Sequence, residues 1–331
     1  MSAVVVYGAT GHTGRFVVEE LLRRGVPTVI AGRDATTLET LASKWGDLQV
    51  RPATVDDGRA LDQALRGASA VINCAGPFAA TAGPMVEAAI RAGIPYVDVA
   101  AELEANLSTI GVQTITPVVP AMAFYGGLGD LLTTAALGDR TSADEVHVAY
   151  GLSSWHPTPG TRAAGQVSHD QRGGRRVRFS DGALQYHDDQ PVQQDWDFPE
   201  PLGRRRVIAE FTMADVITIP SHLAVPEVRT YMSVEAAGDL FSPDTPAPVA
   251  ADALGRSDQT FAVDVLIRTA EGELRATARG QDIYAISAPL AVEAVQRILA
   301  GETRATGVAT AGAMFDAADF LSKLPLQVEL P

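Results

Sequence analysis

The run Gly8-Ala-Thr-Gly11-His-Thr-Gly14 constrains this chain more than any other feature. It follows the β-branched stretch Ala3–Tyr7 (AVVVY) directly. It also opens an amphipathic stretch, Thr13–Arg24, with Phe16, Val17, Leu21 and Leu22 on one helical stripe. At such a strand-to-helix junction each glycine has a task. Gly8 permits a tight turn, Gly11 lets backbone approach a pyrophosphate, and Gly14 lets the helix pack closely on the sheet. Free N–H groups at the helix start, and the helix dipole, then hold phosphates. Thr10, His12 and Thr13 can add side-chain donors. The spacing G-x-x-G-x-x-G differs from the commoner G-x-G-x-x-G, but the same physics implies a dinucleotide site.

The pattern around this run supports that reading. Thr28–Ala31, Leu48–Ala53, Ala70–Cys74, Tyr96–Val99 and Thr116–Ala123 read as further strands. Between them Thr36–Lys44, Gly58–Leu65 and Gly83–Ala92 read as helices, and Asp130–Leu137 starts another. Short strands alternating with helices specify a parallel sheet. From Glu145 the grammar changes to longer alternating strands: Glu145–Leu152, Val228–Val234, Phe261–Arg268 and Glu273–Arg279, the last two joined by a turn at Thr269–Gly272. Gln171–Pro201 is polar, with a basic cluster at Arg172, Arg175, Arg176 and Arg178, and reads as a solvated hairpin or loop, or as a clamp for an acidic ligand. Helical grammar returns at Pro289–Leu299 and Ala313–Leu321. The expected fold is α/β. An N-terminal Rossmann parallel sheet (1–139), completed by C-terminal helices (283–331), carries an inserted α+β domain (140–282) on a mainly antiparallel sheet.

Composition removes other classes. The chain has 331 residues, 46% apolar, with 26 Lys+Arg against 40 Asp+Glu and a net charge of −14. That apolar content excludes a disordered chain, and the acidic balance argues against nucleic-acid binding. The single cysteine, Cys74, rules out an internal disulfide and reads as a small buried residue. The six histidines show no metal-ligand spacing, so no metal site is expected. No stretch approaches the roughly 18 apolar residues of a membrane span, and the N-terminus lacks a signal-peptide pattern. A cytoplasmic protein without membrane or nucleic-acid partners is expected.

Two strand ends sharpen the cofactor. The second strand closes on Ala31-Gly32-Arg33-Asp34, where an acidic side chain would accept from a ribose 2′-hydroxyl. Arg33 suits a 2′-phosphate instead, which favours NADP(H) over NAD(H). The fourth strand closes on Asn73-Cys74-Ala75-Gly76-Pro77-Phe78. Ala75 and Gly76 let a ribose pass close to backbone, and Pro77 and Phe78 can floor a nicotinamide. The chemistry is harder to find. Only two lysines exist, Lys44 and Lys323, neither four residues after a tyrosine, so the Tyr–Lys pair of short-chain dehydrogenases is absent. No G-x-S-x-G elbow is present. The candidates for proton transfer or substrate binding are Glu102 beyond the fifth strand, Tyr125 before a Gly-Gly turn, and His156 in the polar loop 153–158. Arg162, just after that loop, is a candidate to hold a carboxylate.

GATGHTG, AGR, NCAGPF and YVDVAAE, in that order over residues 3–102, resemble the saccharopine dehydrogenase-like NAD(P)-binding oxidoreductases. That group includes saccharopine reductases and trans-acting enoyl reductases. The resemblance implies a Rossmann domain carrying an inserted substrate domain. It implies that Gly8, Gly11, Thr13 and Gly14 contact pyrophosphate and that Arg33 contacts the 2′-phosphate. It places Ala75 to Phe78 along the nicotinamide ribose, and Thr54, Val55 and Asp56 beside adenine. The expected activity is NADPH-dependent reduction of an imine or activated alkene in a small metabolite, free or carrier-bound. The alternatives are a non-catalytic NADP-binding sensor or scaffold, and redox-neutral chemistry with retained NADP. One face of the inserted sheet suggests a homodimer.

Overall fold

The computed structural model describes residues 2–331. Its first half alternates β1 (Val4–Tyr7), α1 (His12–Arg23), β2 (Thr28–Gly32), α2 (Ala35–Ala42), β3 (Gln49–Pro52), α3 (Gly58–Leu65), β4 (Ala70–Asn73), α4 (Phe78–Ala92), β5 (Tyr96–Asp98), α5 (Leu103–Ile110), β6 (Val118–Val119) and α6 (Gly127–Leu137). The six strands are parallel, in the order β3-β2-β1-β4-β5-β6. β1, β2 and β4 are buried along their whole length, which explains their near-continuous apolar sequences. The order reverses between β1 and β4. At such a switch point the strand ends leave a crevice at their carboxyl edge.

The second half contains β7 (Glu145–Leu152), α7 (Pro159–Gln171), β8 (Arg176–Ser180), β9 (Ala183–His187), β10 (Gln193–Asp197), β11 (Arg204–Ala209), α8 (Asp215–Thr218), β12 (Glu227–Ser233), α9 (Val234–Phe241), β13 (Thr260–Thr269) and β14 (Gly272–Gln281). Then follow α10 (Ser287–Ala300), α11 (Ala311–Met314), α12 (Ala317–Ser322) and β15 (Gln327–Glu329). A nine-stranded sheet runs β10-β11-β12-β7-β13-β14-β15, with the β8–β9 hairpin attached to β12. Its pairings are antiparallel except β12 with β7. The polar stretch after Gln171 therefore folds into the β8–β9 hairpin and edge strand β10. Its alternation is masked because both faces are largely wet.

The helix read at Ala313–Leu321 is two short helices, α11 and α12, and the sixth strand is only Val118–Val119; three further boundaries differ for identifiable reasons. Residues 327–329, grouped with the C-terminal helices, instead pair with β14. Helix α4 begins at Phe78 rather than Gly83, because a carboxylate far along the chain caps its first turn (below). The loop read at 153–158 leads at Pro159 into α7, a helix not expected from the sequence. Thr158 is its N-cap and accepts from the Thr161 N–H at 3.0 Å.

The last long helix, α10, lies against α1, β4 and β5. Arg24, the C-cap of α1, reaches Glu293 of α10 at 2.6 Å. Helix α6 packs on β13 and β14, so the chain leaving β6 passes directly from one sheet to the other. One apolar core spans this junction, from Ile30 through Leu128 and Leu132 to Val148 and Val265. The turn between β6 and α6, which holds Tyr125, is thereby fixed where the two sheets meet.

Candidate active site

A cleft of 1410 Å³ follows the carboxyl edge of the parallel sheet. Its first wall is the set of loops after β1, β2, β3 and β4. Gly8, Thr10, Gly11, His12, Thr13, Arg33, Thr54, Val55, Asp56, Ala75, Gly76 and Phe78 all line it. Gly8 has φ +82°, and a Cβ there would lie 2.7 Å from the Ala75 nitrogen. Only glycine lets the two loops come this close. Gly14 is buried beneath the loop and does not line the cleft. A Cβ at Gly14 would meet the Gly8 carbonyl oxygen at 2.2 Å, so its work is close helix packing. Pro77 precedes α4 and also lies off the cleft surface.

The second wall comes from the turn before α6 and from the second half of the chain. Tyr125 is 8% exposed and packs among Phe124, Tyr150 and Trp155, with ring centroids 4.8, 5.0 and 5.1 Å away. Its hydroxyl has no hydrogen-bond partner among the described residues, yet Tyr125 lines the cleft. Burial drives its phenol well above the ordinary range, so it stays protonated. An unsatisfied buried hydroxyl costs about 1–3 kcal/mol. A ligand that accepts its proton, or hydrogen-bonds to it, recovers that cost.

The other expected chemical groups are committed to structure. Glu102 lines the cleft, but its Oε1 accepts from the Phe78 N–H at 2.6 Å and its Oε2 from the Ala79 N–H at 2.9 Å. It caps the first turn of α4, where the helix dipole favours a carboxylate. Burial raises its pKa while the two N–H groups oppose the rise. Glu102 thus supports the Gly76–Phe78 turn rather than standing free as a substrate anchor. His156 does not line the cleft. Its carbonyl accepts from the Tyr284 hydroxyl at 3.3 Å, because the chain is already bending into α7. Arg162 lines the cleft but donates to the carbonyls of Leu240, Ser242 and Thr245 at 3.4, 3.0 and 3.0 Å. It anchors the chain after α9 instead of presenting a free fork.

Tyr284 also lines the cleft and is not among the site residues expected from the sequence. Its hydroxyl meets Trp155 Nε1 at 3.3 Å, the Thr158 N–H at 3.3 Å and Thr161 Oγ1 at 3.0 Å. Its ring stands edge-on to His12, centroids 5.1 Å apart. It thereby ties the glycine loop after β1 to the start of α7. His12 keeps a buried, unpartnered Nε2, and burial lowers its pKa. The partners of its hydroxyl and ring all lie more than a hundred residues away in the chain.

The family profile described as saccharopine dehydrogenase NADP binding domain matches residues 4–114. The saccharopine dehydrogenase-like oxidoreductase of Mus musculus is 30% identical over 117 residues, which cover 30% of this chain and 27% of that protein. The lipid droplet localized protein of Caenorhabditis elegans is 35% identical over 111 residues, covering 30% and 26%. The chain thus aligns with only about a quarter of these relatives. Saccharopine dehydrogenase (L-Glu forming) from Saccharomyces cerevisiae shares the fold across both sheets. It superposes with a TM-score of 0.64 over 99% of each chain at 12% identity.

The region that this profile matches has the parts that NADP(H) needs. The glycine loop closes on Ala75, and His12 holds an orphan ring nitrogen at its rim. Arg33 is exposed at the end of β2, with no hydrogen bond or ion pair among the described residues. Asp34 beside it is occupied as the N-cap of α2, accepting from the Thr37 N–H at 2.9 Å. A guanidinium without a carboxylate partner at this strand end suits a 2′-phosphate. Asp56 is held below the usual carboxylate range by the Thr54 hydroxyl. No helix of the described residues is long and apolar enough to cross a membrane, and no described cluster of His, Cys, Asp and Glu could hold a metal.

Proposed function

We propose that this protein is an NADPH-dependent reductase of a C=N or activated C=C bond in a small metabolite, with Tyr125 as the proton donor. The observation that carries this reading is the unpartnered Tyr125 hydroxyl, buried on the wall that faces the glycine loops. When bound, NADPH supplies the hydride. The chain's own residues do the rest. Gly8, Gly11 and Arg33 hold the pyrophosphate and 2′-phosphate, and the Gly76–Phe78 turn, fixed by Glu102, positions the nicotinamide end. Phe78, Trp155 and Phe124 line the cleft and exclude water. Tyr125 donates its proton to the atom that gains electron density, and solvent re-protonates the phenolate afterwards. The high phenol pKa keeps the donor loaded at neutral pH.

The test is loss of reduced-nicotinamide absorbance when purified protein, NADPH and a panel of cyclic imines and enals are mixed. Turnover of at least one imine or enal is the expected result. Tight NADP(H) binding with no turnover across the panel would instead favour a non-catalytic sensor.

A further inference from the structure

The basic cluster singled out in the sequence is not absorbed by the coenzyme. The chain carries a net charge of −14, yet its cleft is lined by five arginines and only two carboxylates. Glu102 is occupied by α4, and Asp56 lies on the first wall, in the loop after β3. Arg33 belongs to the first wall. The other four arginines lie on α7, in the turn that follows it and at the start of β8. Arg162 and Arg176 are fixed by backbone carbonyls, Arg176 by those of Ala209 and Glu210 at 3.2 and 3.4 Å. Carbonyl partners hold a guanidinium in place without neutralising it.

Arg172 and Arg175 form the end of this lip. Arg172 Nε donates to the Arg175 carbonyl at 3.0 Å, and Arg175 Nε donates to the Arg172 carbonyl at 3.2 Å. Gly173 and Gly174, at φ +60° and +78°, make the reversal that permits this exchange. Two like charges are thus held in one turn by reciprocal bonds. Arg175 is exposed, lies over the Tyr186 ring at 5.1 Å, and has no carboxylate within ion-pair distance among the described residues. Arg172 donates to Ser168 Oγ at 2.6 Å and has only Glu104, at 3.8 Å, as counter-charge.

The position of this turn excludes the coenzyme phosphates as its partner. Ser168 binds Glu104 at 2.7 Å, so the end of α7 sits over the start of α5, beyond β5. Arg33 lies beyond β2, three strand steps away in the sheet order, or roughly 14 Å at about 4.8 Å per step. The pyrophosphate loop follows β1, two steps away. The arginine turn therefore lies past the β4 end of the crevice, on the substrate side.

We propose that the Arg172–Arg175 turn is an anion-binding lip that holds a carboxylate or phosphate of the molecule to be reduced. This rests on the reductase reading for the word substrate, but the anion site is testable without turnover. Calorimetry is carried out on the NADP-saturated protein and on the nucleotide-free protein with glutarate, phenyl phosphate and the neutral dimethyl glutarate. Binding of either anion, little binding of the ester, and an affinity about ten-fold or more weaker in Arg175→Gln are expected, as for loss of a charged hydrogen bond. Glutarate alone would assign a carboxylate; phenyl phosphate alone would assign a phosphate monoester. Three results overturn the proposal: no binding of either anion, ester binding as tight as glutarate, or an Arg175→Gln affinity equal to that of the parent. A protein that binds the anions but no nucleotide would overturn the reductase reading instead.

Discussion

On the first wall of the cleft the working groups are mostly backbone, whereas on the second they are mostly side chains. Gly8, Gly11 and Ala75 act by what they lack, and their geometry follows from one βα turn and the strand beside it. Tyr125, Trp155, Tyr284 and the α7 arginines act through hydroxyls, rings and guanidiniums brought together from residues far apart in the chain. A wall made of backbone tolerates few substitutions but asks little of the rest of the fold. One made of side chains depends on the packing that aims each of them. The first suits a ligand of fixed shape, and the second can be retuned for different substrates.

Substitutions in or directly beneath either wall test this contrast. The largest effect is expected from Gly14→Ala. Its Cβ would press on the Gly8 carbonyl at 2.2 Å, costing about 1–3 kcal/mol as overpacking, and NADPH binding should be lost. Calorimetry and a melting curve report both; normal nucleotide binding by the alanine protein would show that the loop yields. Tyr125→Phe should lower kcat by about 100-fold or more while leaving the NADPH affinity unchanged. Its melting temperature should hold or rise, since the hydroxyl has no partner to lose. A parallel fall in nucleotide affinity would mean that the walls are not separable. Arg33→Ala should cut the preference for NADPH over NADH by about 10- to 100-fold, read as a ratio of kcat/KM values.

The smallest effect on the cleft is expected from Asp215, behind Tyr125. Asp215 is wholly buried, accepts from the Tyr150 hydroxyl at 2.8 and 2.9 Å, and has Asp130, paired with His222, nearby. Burial pushes its pKa from 3.8 to about 7. The folded state therefore binds this proton more tightly than the unfolded chain does. Its contribution to stability is full below 3.8 and is lost as pH rises through about 7. Asp98, raised by burial to about 6, acts with the same sign. The melting temperature should fall as pH rises across this window, and Asp215→Asn should flatten the slope. An unchanged slope in Asp215→Asn would remove the group from the account.

How far the sequence could be read follows the same division. The strands of the parallel sheet declare themselves because each buried strand is a short β-branched run, and Gly58–Leu65 and Glu145–Leu152 have in the structure the bounds read from periodicity. The first turn of α4 was hidden because its cap, Glu102, lies 24 residues beyond Phe78. Helix α7 carried a readable signal in Thr158-Pro159, masked by the polar and aromatic residues just before it. Glu102 and Arg162 had the right residue types for chemistry, but nothing local reveals that each is occupied by backbone.

By itself the sequence determined the parallel sheet, the glycine loop after β1 and the Arg33 strand end. All three depend on residues close together in the chain, where spacing and β-branching decide backbone shape. Only the tertiary structure decided which polar groups remain free. Whether a hydroxyl or a guanidinium is available depends on neighbours supplied by distant segments, as Tyr125 against Trp155 and Arg162 against Thr245 show.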